Sequence, residues 1–389
     1  MKENNVDILL MSDNCLDTVG GEQESTKIII KGLRDKFSIG VIQPGKVSKT
    51  ELGVKYFILT NYSRLKHLIK NPFALLMYFL KARNIINKTH PLVVHTQAQV
   101  SFFVVALFIK FKLIYPDIYL IHTERGLYTK YNSLFKCIFF FCMKELKTLV
   151  TTTEFNKKHW ETALKGKNIE LEYKVIENTA GQLFEFFDTS LEKKTESHIT
   201  IGFAGRYTSW KNWPLAVEIS KKLNNILGDS LTIKMAVGCL DDKALKATYL
   251  MFNELVEIFG DRFDGKINIT LEEMDKFYYN IDIFILTSNY NTESFGRTLV
   301  EAMSRKTVIL TTDAGGSVEV VGDMQNVFES ADECVGKIMR FINDPAMMSS
   351  EKDKNFNRVI KIYSLENNLQ KHQNMYNHII DNECVIIRE

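Results

Sequence analysis

Acidic residues are absent between Glu51 and Asp117, while nine bases fall in that interval: Lys55, Arg64, Lys66, Lys70, Lys81, Arg83, Lys88, Lys110 and Lys112. Other things are scarce too. The six cysteines (15, 137, 142, 239, 334 and 384) include no C-x-x-C pair. Their scatter excludes a disulfide framework or a zinc site and suits reduced thiols. No run of about 18 uncharged, mostly apolar residues occurs, so no spanning helix is expected. Lys2 to Asn14 has only a short apolar run, which does not read as a secretory leader. No short internal repeat or low-complexity segment is present.

What is there describes a large globular chain. Its 389 residues exceed one typical core, so two domains are expected. Net charge of +2 hides an asymmetry: residues 1–180 sum to +10 and the remainder to −8. Phe73, Leu75, Leu76, Met77, Tyr78, Phe79 and Leu80 interleave with the bases of the acid-free stretch. That combination suits an anionic membrane surface through residues 52–116. It also fits a core helix with a solvated basic face. No nucleic-acid-binding motif accompanies the charge, so nucleic acid is not expected as a partner.

Short apolar strands alternate with helical runs from the start, as in a doubly wound parallel sheet. Strands are read at Val6–Met11, 38–42, 92–96, 118–122, 149–152 and 174–178. The pattern restarts at 198–204, 231–237, 281–288 and 307–311. The expected organisation is a Rossmann-like domain over 1–180, a linker over 181–197 and a second Rossmann-like domain over 198–364. A C-terminal helix over 365–389 is expected to cross back to the first domain.

The chemistry concentrates in Glu293-Ser-Phe-Gly-Arg-Thr-Leu-Val-Glu301, two carboxylates eight residues apart. It follows a strand and opens a helical run, 298–305, which is the composition of an anion site. If the interval were helical, it would rise about 12 Å and place both carboxylates along one side. Gly205-Arg206 ends an earlier strand, and Lys211 follows five residues later before another helix. A forked guanidinium and a mobile ammonium at a strand–loop–helix junction suit a leaving diphosphate. Ala314-Gly315-Gly316-Ser317 closes a further strand, and its glycines allow close backbone approach.

These segments, in this order, resemble family-4 retaining glycosyltransferases of the GT-B fold, with their E-x7-E signature. The resemblance covers nearly the whole chain. It implies an α/β architecture of two doubly wound Rossmann-like domains facing a cleft. It assigns Glu293 to the donor sugar and Glu301 to the nucleotide ribose. Arg206, Lys211, Ser294, Phe295 and Gly296 fall at diphosphate-binding positions, Ser294 replacing the family's usual glycine. Gly21, in Gly20-Gly21-Glu22, matches the glycine that lets the first loop approach the donor. Gly315 and Gly316 match a further glycine pair.

One segment departs from the family. Ile121-His-Thr-Glu-Arg-Gly126 stands where members often carry Thr-x-His-Gly. Direct alignment puts Arg125 in the histidine's place, and His122 substitutes only if the strand end shifts. Arg125 suits phosphate or developing charge but not proton abstraction. His95 ends another strand on the same expected edge.

The resemblance implies sugar transfer from a nucleotide-diphosphate sugar, most often UDP-linked, to a glycan or lipid-linked acceptor of a cell envelope. Neither cofactor nor metal is expected, since bases and helix dipoles would hold the diphosphate and no Asp-x-Asp motif occurs. The expected location is cytoplasmic, peripheral on the inner membrane face. Two other readings remain: a non-catalytic partner that binds sugar or another transferase, and a nucleotide-sugar epimerase.

Overall fold

The computed structural model describes residues 6–18, 20–193 and 198–386. Residues 194–197 of the expected linker, the two chain ends and the side chain of Cys384 lie outside the described residues. The chain divides into two units. One runs to Asn178 and includes the stretch from Leu365 onward; the other is Thr179–Ser364.

The first unit carries β1 (Ile8–Met11), β2 (Ile39–Gln43), β3 (Lys55–Ile58), β4 (Val93–Thr96), β5 (Tyr119–Glu124), β6 (Thr148–Thr151) and β7 (Glu172–Val175). They form one seven-stranded sheet in the order β3-β2-β1-β4-β5-β6-β7, and every pairing is parallel. Its helices are α1 (Gly21–Leu33), α2 (Pro72–Thr89), α3 (Gln99–Lys110), α4 (Ser133–Met143) and α5 (Glu154–Leu164). Local chemistry sets their starts. Asn71, Asn132 and Thr153 cap α2, α4 and α5 through side-chain oxygens that accept first-turn amides.

The second unit carries β8 (Ile199–Arg206), β9 (Leu231–Gly238), β10 (Phe263–Ile267), β11 (Ile283–Leu286), β12 (Val308–Thr312) and β13 (Val327–Phe328). They form a parallel sheet ordered β10-β9-β8-β11-β12-β13. The helices between and after them are α6 (Trp213–Leu227), α7 (Asp242–Phe259), α8 (Leu271–Tyr279), α9 (Arg297–Met303), α10 (Gly316–Val321), α11 (Ala331–Asn343) and α12 (Pro345–Arg358).

Both sheets are covered on both faces, and the side-chain period of two sorts each strand between two cores. In β1, Leu9 and Met11 enter one core while Ile8 and Leu10 enter the other. In β11, Ile283 and Ile285 face one side and Phe284 and Leu286 the opposite side. Three strands escape the sequence reading, β3, β10 and β13. The first two are half-exposed edge strands and the third is two residues long, so none shows a buried apolar run.

Within the stretch read as a linker, residues 182–184 and 189–191 form short helical turns of the second unit. Phe184 is buried there, and Arg305 bonds to the carbonyls of Leu183 and Phe184. At the other end, a π-helical turn, Val359–Tyr363, precedes α13 (Leu365–Ile386), which belongs to the first unit. It packs on α1 so closely that a Cβ on Gly32 would lie 2.4 Å from Leu369. Asn368 also donates to the carbonyl of Glu177 at 2.6 Å.

Candidate functional site

In a parallel sheet the loops that bind ligands gather at the carboxyl ends of the strands. In the second unit, β8, β11 and β12 bring Gly205, Lys211, Glu293 and the Gly315–Gly316 pair together at that edge. Lys211 Nζ lies 2.9 Å from Glu293 Oε1, with the two side chains 13% and 14% exposed. Ser288 Oγ donates to the same oxygen at 2.8 Å. The Lys211 stem crosses Gly205, where a Cβ would meet its Cδ and Cε at 3.4 Å. Thr287 at the end of β11 donates to the carbonyl of Lys211 at 2.9 Å, locking the two loops. Arg206 is exposed, and Trp213 Nε1 donates to its carbonyl at 3.2 Å. Among the described residues Arg206 has no ion-pair partner.

The glycines here have a steric reason. Glu293 forms a parallel bridge with Gly315; its amide donates to Ala314 and its carbonyl accepts from Gly316, both at 2.8 Å. A Cβ on Gly316 would stand 2.1 Å from the carbonyl oxygen of Ser294. Gly315 and Gly296 have φ of 99° and 93°, a region that side chains other than glycine's rarely adopt. Phe295 is buried and meets Tyr363 edge-on at 5.6 Å, anchoring the turn from within.

The carboxylates are not related by a helix. The helix begins at Arg297, after Gly296, and Glu293 sits in the bridge before it. Glu293 and Glu301 therefore do not lie along one side of a continuous helix, because Gly296, at positive φ, separates the bridge from the helix. Glu301 is buried, accepts from Tyr278 Oη at 2.9 Å, and lies 3.2 Å from Arg297 Nε, an ion pair by distance. Burial, then the neighbouring Glu301 charge, raises Tyr278 well above its ordinary pKa, so it remains a donor. Arg297 in turn donates to the carbonyl of Ala180 at 2.7 Å.

The first unit treats its candidates differently. Gly21 opens α1, and a Cβ there would meet no atom within 4 Å, so packing does not require glycine. Arg125 follows β5; its guanidinium donates to the carbonyl and side-chain oxygens of Gln97, each at 2.9 Å. The register of β5 turns His122 inward. It is fully buried, stacks on Phe102 at 4.5 Å, and bonds through its two ring nitrogens to Thr96 and Glu124. His95 is fully buried between Tyr376 Oη at 2.6 Å and Thr123 Oγ1 at 2.7 Å. Burial, helped by nearby His372, Arg125 and His122, holds His95 well below its ordinary pKa. In this conformation neither histidine can touch a ligand.

The sequence reading missed an acidic group at this edge. Glu22 accepts from Ser12 Oγ and Asn14 Nδ2, each at 2.6 Å, and from the Asp13 amide at 3.2 Å. Burial raises its pKa; Asp13 adds to the rise, while the Ser12 and Asn14 bonds and the charge of Arg125 oppose it. Asp13 caps α3, accepting the amides of Val100 and Ser101 at 2.8 Å. Fully buried Glu124 accepts from Gln99 at 3.1 Å and from Tyr131 Oη at 3.0 Å. The signal was available in Glu22, directly after the glycine pair, but no spacing tied it to a partner. Among the described residues, no three His, Cys, Asp or Glu side chains are grouped to hold a metal ion. No described helix is long and apolar enough to cross a membrane.

Residues 186–362 match the family of glycosyl transferases group 1, just under half of the chain. That match supports a glycosyltransferase. A GDP-Man:Man(3)GlcNAc(2)-PP-Dol alpha-1,2-mannosyltransferase of Caenorhabditis elegans is 22% identical over 211 residues, 53% of this chain. The matched part spans 43% of that protein, less than half its length. Among solved structures, sucrose-phosphate synthase from Thermosynechococcus elongatus has a TM-score of 0.79 at 14% identity, covering 96% of this chain and 99% of that one. A glycosyltransferase from Rickettsia africae gives 0.72 at 21%, covering 97% and 100%. HepE from Anabaena, in complex with UDP and glucose, gives 0.71 at 15%, covering 96% and 100%. At these identities the likeness is one of fold: two Rossmann-like parallel-sheet domains, the GT-B glycosyltransferase architecture.

Proposed function

We propose that the protein is a retaining, metal-independent glycosyltransferase of the family-4 type. It transfers a sugar from a nucleotide-diphosphate sugar, UDP-linked, to a glycan or lipid-linked acceptor in cell-envelope polysaccharide synthesis. The observation that carries this reading is the Lys211–Glu293 pair, held at the carboxyl edge of the second sheet beside the Gly315–Gly316 turn. An ammonium neutralised by a carboxylate 2.9 Å away is a place where a diphosphate can take over the cation and free the carboxylate. HepE was solved with UDP and glucose, which supports the choice of donor class.

In the proposed reaction the acceptor hydroxyl oxygen bonds to the anomeric carbon while the carbon–oxygen bond to the diphosphate breaks. The acceptor proton passes to the departing diphosphate oxygen on the same face, which preserves the anomeric configuration. Arg206 and Lys211 stabilise the charge that develops on the diphosphate. Glu293 orients the sugar, Ser294, Phe295 and Gly296 line the phosphate side, and Glu301, positioned by Tyr278 and Arg297, meets the ribose. Within the first unit, Gly21 and Arg125 are the residues that the resemblance singles out. The acid-free stretch 52–116 faces an anionic membrane surface, which suits a lipid-linked acceptor.

One observation favours a second reading, a partner subunit that binds sugar nucleotide without turnover. Both histidines near the first unit's edge are sealed inside, and Arg125 is held by Gln97. A panel of UDP-, GDP-, ADP- and TDP-sugars, scored by thermal shift and nucleotide release in EDTA, separates the two. Binding with slow release of one nucleotide supports the transferase. Binding without release, even with acceptor mixtures, supports the partner reading, and no binding at all refutes both.

A further inference from the structure

Helix α2 buries Tyr78, Ala82 and Ile86 in one core of the first unit but exposes Phe73, Leu76, Met77 and Leu80. Their spacing of three, one and three makes a single stripe along the opposite side of the helix. Helix α4 repeats the arrangement. It buries Phe139, Cys142 and Met143 in the same core and exposes Leu134, Ile138 and Phe141, spaced by four and three. Helix α3 lies between them. Arg83 of α2 donates to the carbonyl of Leu113 just beyond α3, Phe103 of α3 meets Phe135 of α4 at 5.1 Å, and Lys110 sits 4.8 Å over Phe141.

Charge follows the same layer. Arg125 to Lys144 is a second acid-free stretch, with Lys130, Lys136 and Lys144. Glu145, just past α4, is paired with Lys110 at 2.9 Å. Lys66, Lys70 and Lys81 are exposed, and none has an ion-pair partner among the described residues. Two segments far apart in sequence therefore form one layer whose outward side is apolar and cationic. A water-facing layer would carry mixed charge instead. Helices in a parallel sheet begin at the carboxyl edge of the strands, so this layer starts beside the ligand-binding edge of its own unit.

We propose that α2 and α4 together form the membrane-docking face, their apolar stripes entering an anionic lipid surface as the lysines meet its headgroups. This rests on, and extends, the membrane reading of residues 52–116; what is new is α4. The test is co-sedimentation of the full chain with phosphatidylcholine vesicles, with and without phosphatidylglycerol. Binding should require the anionic lipid. Reversal of charge at Lys66, Lys70 and Lys81 should lower partitioning by about 100-fold, each base being worth about a factor of five. Leu134→Asp, Ile138→Asp and Phe141→Asp combined should lower it by at least about tenfold.

A fluorophore on Cys137, exposed on α4, in a Cys239→Ser, Cys384→Ser chain reads insertion without those substitutions. Its emission should shift to the blue on adding anionic vesicles. Unshifted emission with full binding, or wild-type binding by the α4 variant, overturns the α4 face while leaving 52–116 standing. Loss on the α4 side alone refutes 52–116 instead. No vesicle binding, or a soluble dimer that buries Cys137, overturns both.

Discussion

The two sheets end in similar edges that hold their polar groups in opposite ways. In the second unit, Lys211 and Glu293 pair with each other at the edge while still partly exposed, and Arg206 stands exposed. In the first, His95, His122 and Glu124 are fully buried, and Glu22 and Arg125 are engaged by neighbouring protein atoms. A charge left near water can exchange its partner for a ligand at small cost. One sealed inside and hydrogen-bonded cannot, because breaking the bond strands a buried polar group. The same topology thus leaves exchangeable charges at the edge of one unit and internally satisfied ones at the edge of the other.

The sharpest way to break this comparison is at the pair itself. Lys211→Ala and Glu293→Ala should each lower transfer by about 100-fold or more with unchanged melting temperature, measured by nucleotide release and calorimetry. Normal turnover in both would remove the second unit's edge as the site.

A second test concerns the sealed edge. Burial lowers His372 from 6.5 to about 4 in the fold. The unfolded chain then takes up a proton that the folded chain refuses as pH falls below 6.5, so the folded state loses stability across that window. The loss should approach about 3 kcal/mol between pH 6.5 and 4. The loss is nil above pH 6.5, nears its full size at pH 4 and is absent from a His372→Gln variant, so denaturant titrations of the two proteins at both pH values give the difference. Equal slopes would mean that His372 is solvated.

Next comes Gly316→Ala, which drives a Cβ toward the carbonyl of Ser294 and should cost about 1–3 kcal/mol through backbone displacement. Donor affinity should fall with it; Gly21→Ala, with nothing within 4 Å, should leave the melting temperature unchanged. A donor affinity that falls for Gly21→Ala alone would show that a ligand, not the fold, requires that glycine. The smallest effect is expected from Arg125→Lys, which loses the fork to Gln97 and about 1 kcal/mol of stability. If that variant is also inactive in nucleotide release, Arg125 does more than brace Gln97.

How much of this was legible can be judged from particular elements. The central strands were readable because both faces of each are buried, which forces near-continuous apolar runs such as Ile281 to Leu286. The edge strands β3 and β10 were not, since half of each meets solvent. Glu293, Lys211 and Gly316 were legible as candidates from residue type and order alone. Glu22 was not, because its partners Ser12 and Asn14 precede it by distances that no local pattern encodes.

By itself the sequence determined the two-unit α/β organisation, since hydrophobic periodicity and glycine-bearing turns are local and survive any rearrangement in space. It also set the absence of acid that makes one layer cationic. Tertiary structure alone decided that Glu293 leaves the helix for a bridge with Gly315, that His122 points inward, and that α4 joins α2. Each depends on strand register or on which helices share a sheet face. Those are contacts between residues far apart in the chain, whose energies no stretch of sequence contains.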